Sequence, residues 1–262
     1  MSANDFLRAK AESRALSMVT CYDYTFARIL AQSPIDAILV GDSAAMVMHG
    51  HPSTLSASTE ILRLHTEAVV RGAPAKFTIA DMPFLSFRKG PVAALDTAAI
   101  LMQAGAHAVK IEGIDGHEDV VRHLVQSGIP VMGHLGLQPQ SVHAYGGFRV
   151  QGRTEDTARQ ITRQATALEE LGAFSIVLEC VPATLAREIT AALHIPTIGI
   201  GAGACCDGQI LVLQDLLGLN TDFRPKFARP FLDGARCVLD TLTRYDAAVK
   251  AKTFPAKEES YS

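Results

Sequence analysis

The chain has 262 residues, of which 48% are hydrophobic and 19% are charged, and its net charge is −3 with the nine histidines counted as neutral. This composition excludes a disordered chain and provides apolar side chains for a large core. It shows neither the basic stripe of a nucleic-acid binder nor an apolar run long enough to span a bilayer. The length suits one α/β barrel, and we expect a single domain over residues 1–262 with polar termini at about 1–14 and 252–262.

The cysteine pattern indicates the cellular compartment. The five cysteines are odd in number and include no C-x-x-C pair, which is typical of free thiols in a reducing cytoplasm. The first residues are polar and charged, unlike a secretory signal. We therefore expect a cytoplasmic protein.

A repeating pattern of helix, glycine and apolar run organises the chain. Arg71-Gly72-Ala73, Ala104-Gly105-Ala106 and Leu171-Gly172-Ala173 each follow an amphipathic stretch and precede a short apolar run. A glycine just past a helix adopts the left-handed conformation that ends it, and the apolar run that follows is typical of a buried strand. Recurrent units of this kind predict a parallel sheet.

In chain order, eight apolar runs are predicted to be strands: Leu16–Cys21, Ala37–Val40, Lys76–Ala80, Ala108–Ile111, Val131–His134, Ser175–Leu178, Thr197–Ile200 and Ile210–Leu213. Helices are predicted between and after them: Tyr24–Gln32, Thr59–Arg71, Pro91–Gln103, His117–Gln126, Glu155–Leu171, Ala183–Leu193 and roughly Pro230–Lys250. Only Gly201–Gln209 separates the last two strands, which is too short for a crossover helix. The count of eight favours a (β/α)8 barrel over an open, doubly wound sheet.

Five consecutive strands end in a polar or ionisable group. These groups are Asp42, Asp81, Glu112, His134 and Glu179. In a (β/α)8 barrel the catalytic residues lie at the carboxyl ends of the strands, so we expect these five to share one rim. Each acid alone has an alternative role as a helix cap or a solvent-facing group, but five in a row favour a site.

Three of these groups have the chemistry of a metal site. Asp42, Asp81 and Glu112 are hard oxygen donors on adjacent strands, and such a set suits Mg²⁺. An alternative for Glu112 is a salt bridge to Lys110, two residues away on the same side of the strand. Lys110 itself either balances charge or contacts a substrate carboxylate or oxyanion.

The last two groups suit proton transfer and substrate contact. Glu179 has no cation in its immediate sequence and is predicted to be an unpaired general base, with capping of Ala183–Leu193 as the alternative. His134 either contacts substrate or cofactor or has a structural role. The other histidines show no metal-ligand spacing and are interpreted as surface or loop residues.

Two long loops lie on the same rim. Ser43–Ser58 follows the second strand, and Leu135–Arg153 follows the fifth. Long rim loops are often lids or binding loops. The second contains Tyr145-Gly146-Gly147-Phe148-Arg149, whose aromatic and cationic residues suit an aromatic, anionic cofactor held in part by Arg149. Ordinary loop packing is the alternative.

At these residues the sequence resembles the ketopantoate hydroxymethyltransferase family, from about Ser17 to Pro255. The phrases that carry the resemblance are Thr20-Cys21-Tyr22-Asp23, Val40-Gly41-Asp42-Ser43, Ala80-Asp81-Met82-Pro83-Phe84, Val109-Lys110-Ile111-Glu112-Gly113, Gly133-His134-Leu135-Gly136-Leu137-Gln138-Pro139-Gln140, Leu178-Glu179-Cys180-Val181-Pro182 and Gly199-Ile200-Gly201-Ala202-Gly203 with Asp207-Gly208-Gln209. Together these phrases are highly specific, whereas any one alone is weak.

The resemblance implies a TIM barrel of the phosphoenolpyruvate/pyruvate-like type that uses Mg²⁺. The implied reaction transfers a hydroxymethyl group from 5,10-methylenetetrahydrofolate to 3-methyl-2-oxobutanoate and gives 2-dehydropantoate, on the pantothenate route to coenzyme A. A homo-oligomer, often a decamer, is also implied. By position, Asp42 and Asp81 are metal ligands that also contact substrate, and Glu112 belongs to the metal site. Ser43 and Lys110 bind the 2-oxo acid, and Glu179 accepts the proton.

The sequence departs from the family pattern at a few places away from the acids: Ala45, Ser56, Leu64 and Cys205-Cys206. These differences affect loop closure or oligomer contacts and leave the acids unchanged.

Two other functions compete with the transferase. A Mg²⁺-dependent carbon–carbon lyase or mutase of the isocitrate lyase and phosphoenolpyruvate mutase group shares the barrel, but its K-K-C-G-H motif is absent. A non-catalytic scaffold predicts losses among the strand-end acids, and all are present.

Overall fold

The structure, a computed structural model, describes residues 1–147, 149–221 and 225–261. The described chain divides into two compact units, Met1–Val212 and Leu213–Ser262, so a single domain stays a prediction. The strands are β1 (Leu16–Thr20), β2 (Ala37–Val40), β3 (Phe77–Asp81), β4 (Ala108–Glu112), β5 (Val131–Gly136), β6 (Ser175–Glu179), β7 (Thr197–Ile200) and β8 (Gly208–Leu211). The helices are α1 (Ala3–Ala11), α2 (Tyr24–Leu30), α3 (Ala44–Val47), α4 (Thr59–Gly72), α5 (Pro91–Gln103), α6 (Glu118–Gln126), α7 (Val142–Tyr145), α8 (Glu155–Glu170), α9 (Ala183–Ala192), α10 (Leu213–Leu216) and α11 (Gly234–Lys250).

The first unit contains the barrel. Its eight strands pair in sequence order and close into a barrel through β1 and β8. All neighbours run parallel; Leu16 of β1 pairs with Gly208 of β8, and Met18 pairs with Ala37 of β2. The (β/α)8 barrel is therefore confirmed, and the open sheet is wrong. The continuous apolar runs are buried because each strand is covered on both sides.

The largest difference in strand position concerns β8. The prediction began this strand at Ile210, where the apolar run begins, but pairing with β1 begins at Gly208. Asp207 explains how β7 and β8 connect without a helix. Its carboxylate accepts a hydrogen bond from Thr197 N at 2.8 Å, and its carbonyl accepts one from Leu16 N at 2.9 Å. The predicted absence of a crossover helix between these strands is thus confirmed.

An N-terminal helix lies within the region that the sequence analysis treated as a polar terminus. Ser2 and Asp5 form a capping box at the start of α1. Phe6 is fully buried, and its ring lies 5.5 Å from that of Phe77 and 5.1 Å from that of Phe174. The core cluster that contains Phe6 and Ala9 includes the first residues of several strands, so α1 closes the amino-terminal end of the barrel. Phe6 and Ala9 stand in a stretch rich in charged residues, so the sequence analysis did not predict that this helix packs on the barrel.

The second unit is dominated by α11. Gly234 is its only buried residue, while Val238, Leu242, Tyr245 and Val249 are exposed at helical spacing. The predicted start at Pro230 was four residues early. Within the described ranges, no helix combines the length and the apolar character that crossing a membrane needs.

Candidate active site

The carboxyl ends of β2 to β6 bring the predicted groups to one rim. Asp42 follows β2, while Asp81, Glu112 and Glu179 are the last residues of β3, β4 and β6. In the sheet register, Asp81 lies beside Lys110 and Glu112 lies beside His134. The parallel register therefore makes these ionisable side chains neighbours, as the sequence predicts.

Lys110 pairs with the acid of the neighbouring strand. Its Nζ lies 2.9 Å from Asp81 Oδ1. Its ion pair is with Asp81, which lies directly across the register, whereas Glu112 acts on Lys110 only through its charge. Burial alone favours the neutral amine, but the charges of Asp81, Glu112 and Asp42 raise the pKa of Lys110. Lys110 is thus a buried, permanent cation at the rim.

Gln140 connects the acids of β2 and β4. Its Nε2 donates to Asp42 Oδ2 at 2.9 Å and to the carbonyl of Met82 at 3.0 Å. Its backbone N–H donates to Glu112 Oε2 at 3.0 Å. The sequence analysis assigned no role to Gln140, although the residue closes one of the family phrases. An uncharged side chain in a long loop carried no separate signal.

Tyr22 is a second rim residue that the sequence analysis did not select. Its buried hydroxyl lies 2.7 Å from the hydroxyl of Ser43, and burial raises the pKa of Tyr22, so the phenol stays protonated. Ser43 directly follows Asp42, whose backbone N–H donates to Asp81 Oδ2 at 2.9 Å. Tyr22 therefore orients the predicted substrate-binding hydroxyl beside the acids.

Glu179 is paired with His134, so the prediction of an unpaired base is wrong. His134 Nε2 lies 3.0 Å from Glu179 Oε2, and His134 Nδ1 lies 3.4 Å from Glu112 Oε1. Burial and the charge of Lys110 oppose protonation of His134, but hydrogen bonds to Glu112 and Glu179 raise the pKa of His134 to about 9. The partner was not apparent from the sequence because it comes from the adjacent strand.

The backbone around Glu179 holds this carboxylate at the tip of β6. Leu137 N donates to the Glu179 carbonyl at 2.8 Å, and any Cβ at Gly136 would overlap that oxygen. Cys180 adopts a φ of +48°, which is uncommon for a residue other than glycine. The Glu179 side chain is 16% exposed, against 3% for Glu112. Glu179 is therefore the most accessible acid of this group to a small molecule.

The buried acids have the chemistry of a cation site. Burial, followed by repulsion from Asp81 and Glu112, raises the pKa of Asp42 well above its ordinary value. Glu112 Oε1 is buried, and its contact with His134 Nδ1 at 3.4 Å is too long to satisfy this oxygen fully. Oxygen donors that repel one another in this way fit Mg²⁺. Across the described ranges, however, no three His, Cys, Asp or Glu side chains already have a metal-binding arrangement, because Lys110 and Gln140 engage the acids.

The structure does not bring the predicted cofactor residue to the acids. Arg149 is exposed, and its carbonyl accepts a hydrogen bond from the Gln151 side chain at 3.0 Å. Phe148, which was predicted to act with it, lies outside the described residues. The role of this loop stays a prediction.

The family model for ketopantoate hydroxymethyltransferase matches residues 1–257. The chain is 58% identical over 258 residues to a protein of Bdellovibrio bacteriovorus named 3-methyl-2-oxobutanoate hydroxymethyltransferase, covering 98% of both chains. A protein of the same name from Coxiella burnetii is 52% identical and covers 98% of this chain and 97% of its own. The chain belongs to the ketopantoate hydroxymethyltransferase family. Its relatives are named as enzymes, which confirms the predicted family and enzyme class.

Solved structures place this member of the family in a wider fold group. Phosphonopyruvate hydrolase, solved with oxalate and Mg²⁺, superimposes with a TM-score of 0.64 at 13% identity and covers 100% of this chain and 92% of its own. A 2,3-dimethylmalate lyase of the PEP mutase/isocitrate lyase superfamily superimposes with a TM-score of 0.60 at 16% identity and covers 99% of this chain and 91% of its own. At these identities the likeness shows the fold alone, and it confirms the predicted barrel type.

Proposed function

We propose that this protein transfers a hydroxymethyl group from 5,10-methylenetetrahydrofolate to 3-methyl-2-oxobutanoate, giving 2-dehydropantoate. The observation that carries the proposal is one rim that joins a buried acid set, a buried cation and a more accessible carboxylate. The acid set consists of Asp42, Asp81 and Glu112, the cation is Lys110, and the accessible carboxylate is Glu179. The names of the relatives support the substrate.

We assign the rim residues separate roles in binding the 2-oxo acid. We assign Asp42, Asp81 and Glu112 to Mg²⁺, which supplies Lewis-acid polarisation of the 2-oxo group when it is bound. Ser43, oriented by Tyr22, donates a hydrogen bond to the substrate. Lys110 places a fixed positive charge where negative charge develops on the substrate oxygen.

Proton removal at C3 of the substrate is assigned to Glu179. His134 holds this carboxylate at 3.0 Å, and His134 also borders the substrate. The proton passes from C3 to Glu179, and the electron pair moves toward the 2-oxo oxygen near Lys110. The resulting enolate carbon forms a bond to the folate methylene carbon as the bond from that carbon to one folate nitrogen breaks, and this nitrogen takes the proton held by Glu179. Water then displaces the second folate nitrogen, which takes a proton from that water, and the remaining hydroxyl completes the hydroxymethyl group of the product.

The purified protein should form 2-dehydropantoate only when 3-methyl-2-oxobutanoate, methylenetetrahydrofolate and Mg²⁺ are all present. Mass spectrometry of the product measures this directly. Cleavage of a 2-oxo acid without folate would instead favour the lyase alternative. Inactivity with all three components would favour a scaffold.

The five free thiols of the chain support a cytoplasmic location for the reaction.

Arg149→Ala tests the assignment of the 135–153 loop to the folate. Because folates carry carboxylates, loss of this exposed cation should raise the KM for methylenetetrahydrofolate by about 1.5- to 5-fold, the range of an exposed charge contact. The KM for 3-methyl-2-oxobutanoate should change little. Steady-state kinetics with each substrate varied in turn measures both constants, and equal increases in the two would contradict the assignment.

We also propose that the protein forms a homo-oligomer through the apolar face of α11. A helix that exposes Val238, Leu242, Tyr245 and Val249 together presents a surface that soluble monomers rarely leave in water. A second copy of the chain is the proposed partner, as the family resemblance implies. Symmetric assemblies bury such faces against their own equivalents.

Leu242→Glu should therefore reduce the assembly to smaller species, because it places a charge in the centre of the proposed interface. Light scattering after size exclusion measures the mass. Ala247→Glu is the matched control, since it introduces the same charge on the opposite side of α11 and should leave the mass unchanged. An unchanged mass in Leu242→Glu would rule out this face.

A further inference from the structure

Three histidines gather beside the loop that follows β2. His49 and His51 lie in the loop, and His65 lies on α4. The Nε2 atoms of His49 and His65 are 2.8 Å apart, and their rings are 5.1 Å apart. The ring of His51 lies 6.5 Å from that of His49. The sequence analysis interpreted these histidines as surface or loop residues, because their spacing in the chain is not that of metal ligands.

The surroundings of His65 fix its tautomer. Its Nδ1 contacts the backbone carbonyl of Tyr22, which can only accept a hydrogen bond, so Nδ1 carries the proton. In the neutral ring the lone pair is then on Nε2, the atom that faces His49. A backbone carbonyl on the far nitrogen is the usual support of a metal-binding histidine, because it orients the ring and makes the ligand more basic.

We propose that His49, His51 and His65 bind a borderline divalent metal ion such as Zn²⁺, at a site separate from the acid set. Imidazole nitrogens favour this class of ion, whereas Mg²⁺ favours the oxygen atoms of Asp42, Asp81 and Glu112. Two ligands of a tetrahedral zinc ion, each at about 2.0–2.1 Å, lie roughly 3.3 Å apart. The Nε2 atoms of His49 and His65, now 2.8 Å apart, would have to separate by about 0.5 Å to reach this distance.

As they stand, the three rings do not form a metal-binding arrangement among the described residues, so the proposal requires the two loop histidines to move. His49 and His51 are both exposed. His49 shifts its proton to Nδ1, where water accepts a hydrogen bond, and thereby frees the Nε2 lone pair. His51 turns toward the pair as the third ligand, and water completes the shell. The bound ion ties the 43–58 loop to α4, and the contacts of Tyr22 with His65 and Ser43 connect this site to the rim.

Zinc titration by calorimetry in excess Mg²⁺ tests the proposal, because Mg²⁺ occupies the oxygen donors. Every protein compared carries serine at Cys180, Cys205, Cys206 and Cys237, which removes the exposed and half-buried thiols as competing ligands. The parent protein should bind one zinc ion. His49→Gln and His51→Gln should each weaken this binding at least about tenfold, the lower end of the cost of disturbing a zinc ligand's support.

A second measurement separates the site from nonspecific surface binding. Zinc should slow amide hydrogen exchange in residues 44–58 of the parent protein and not in His49→Gln. His194→Gln is the matched control, because its ring is 95% exposed and lies near Glu169, outside the three-histidine group. It should bind zinc like the parent protein. If His49→Gln or His51→Gln binds zinc as the parent does, the three-histidine site is overturned.

Discussion

Glu179→Gln should lower turnover by about 10²- to 10⁴-fold, equivalent to roughly 3–5.5 kcal/mol of activation free energy. Glutamine keeps the size of the side chain and can still contact His134, but it cannot accept the C3 proton. Binding of Mg²⁺ and of 3-methyl-2-oxobutanoate should persist, because the acids of β2 to β4 are unchanged. Steady-state kinetics and calorimetric binding measure the two effects separately.

Exchange of the C3 proton with deuterium in the absence of folate isolates the step assigned to Glu179. The unmodified protein should exchange this proton, and Glu179→Gln should lose exchange and turnover together. Glu188→Gln is the matched control, since this exposed acid lies on α9 away from the rim and should behave as unmodified protein. Arg149→Ala should lower turnover at limiting folate while keeping exchange. Exchange at the unmodified rate in Glu179→Gln would rule out Glu179 as the base.

Removal of divalent metal should abolish turnover, and added Mg²⁺ should restore it. Without a divalent cation, the repulsion among Asp42, Asp81 and Glu112 is offset by Lys110, His134 and hydrogen-bond donors. Activity before and after chelation, with Mg²⁺ added back to a matched sample, measures the requirement. Full activity in excess chelator would rule out the metal assignment.

The same acids predict how the effect of Mg²⁺ on stability depends on pH. The pKa of Asp42 is raised in the folded protein, so its protonation stabilises the fold fully below its unfolded pKa. That stability is lost as the pH rises through the raised pKa. Mg²⁺ binds the ionised carboxylate, so the increase in Tm that it produces should grow as the pH rises through this range. Thermal unfolding over a pH series measures the trend.

The parts of this molecule that could be predicted from sequence are those that a local pattern carries. Runs such as Ala108–Ile111 and glycines just past a helix, such as Gly105 and Gly172, were sufficient for the barrel, and a strand-end acid such as Glu112 marked the rim. Contacts between distant segments could not be predicted in this way. Gln140 reaches Asp42 across 98 positions, and the partner of Lys110 depends on the register between two strands.

The packing of α1 determines when the amino-terminal end of the barrel can close during synthesis. Synthesis begins at the amino end, yet Phe6 packs on Phe77 and Phe174, which belong to later parts of the chain. During translation α1 therefore leaves the ribosome long before its binding surface exists. Its apolar side chains stay exposed until the segment around Phe174 has emerged. Closure of the amino-terminal end of the barrel therefore has to wait until Phe174 has been synthesised.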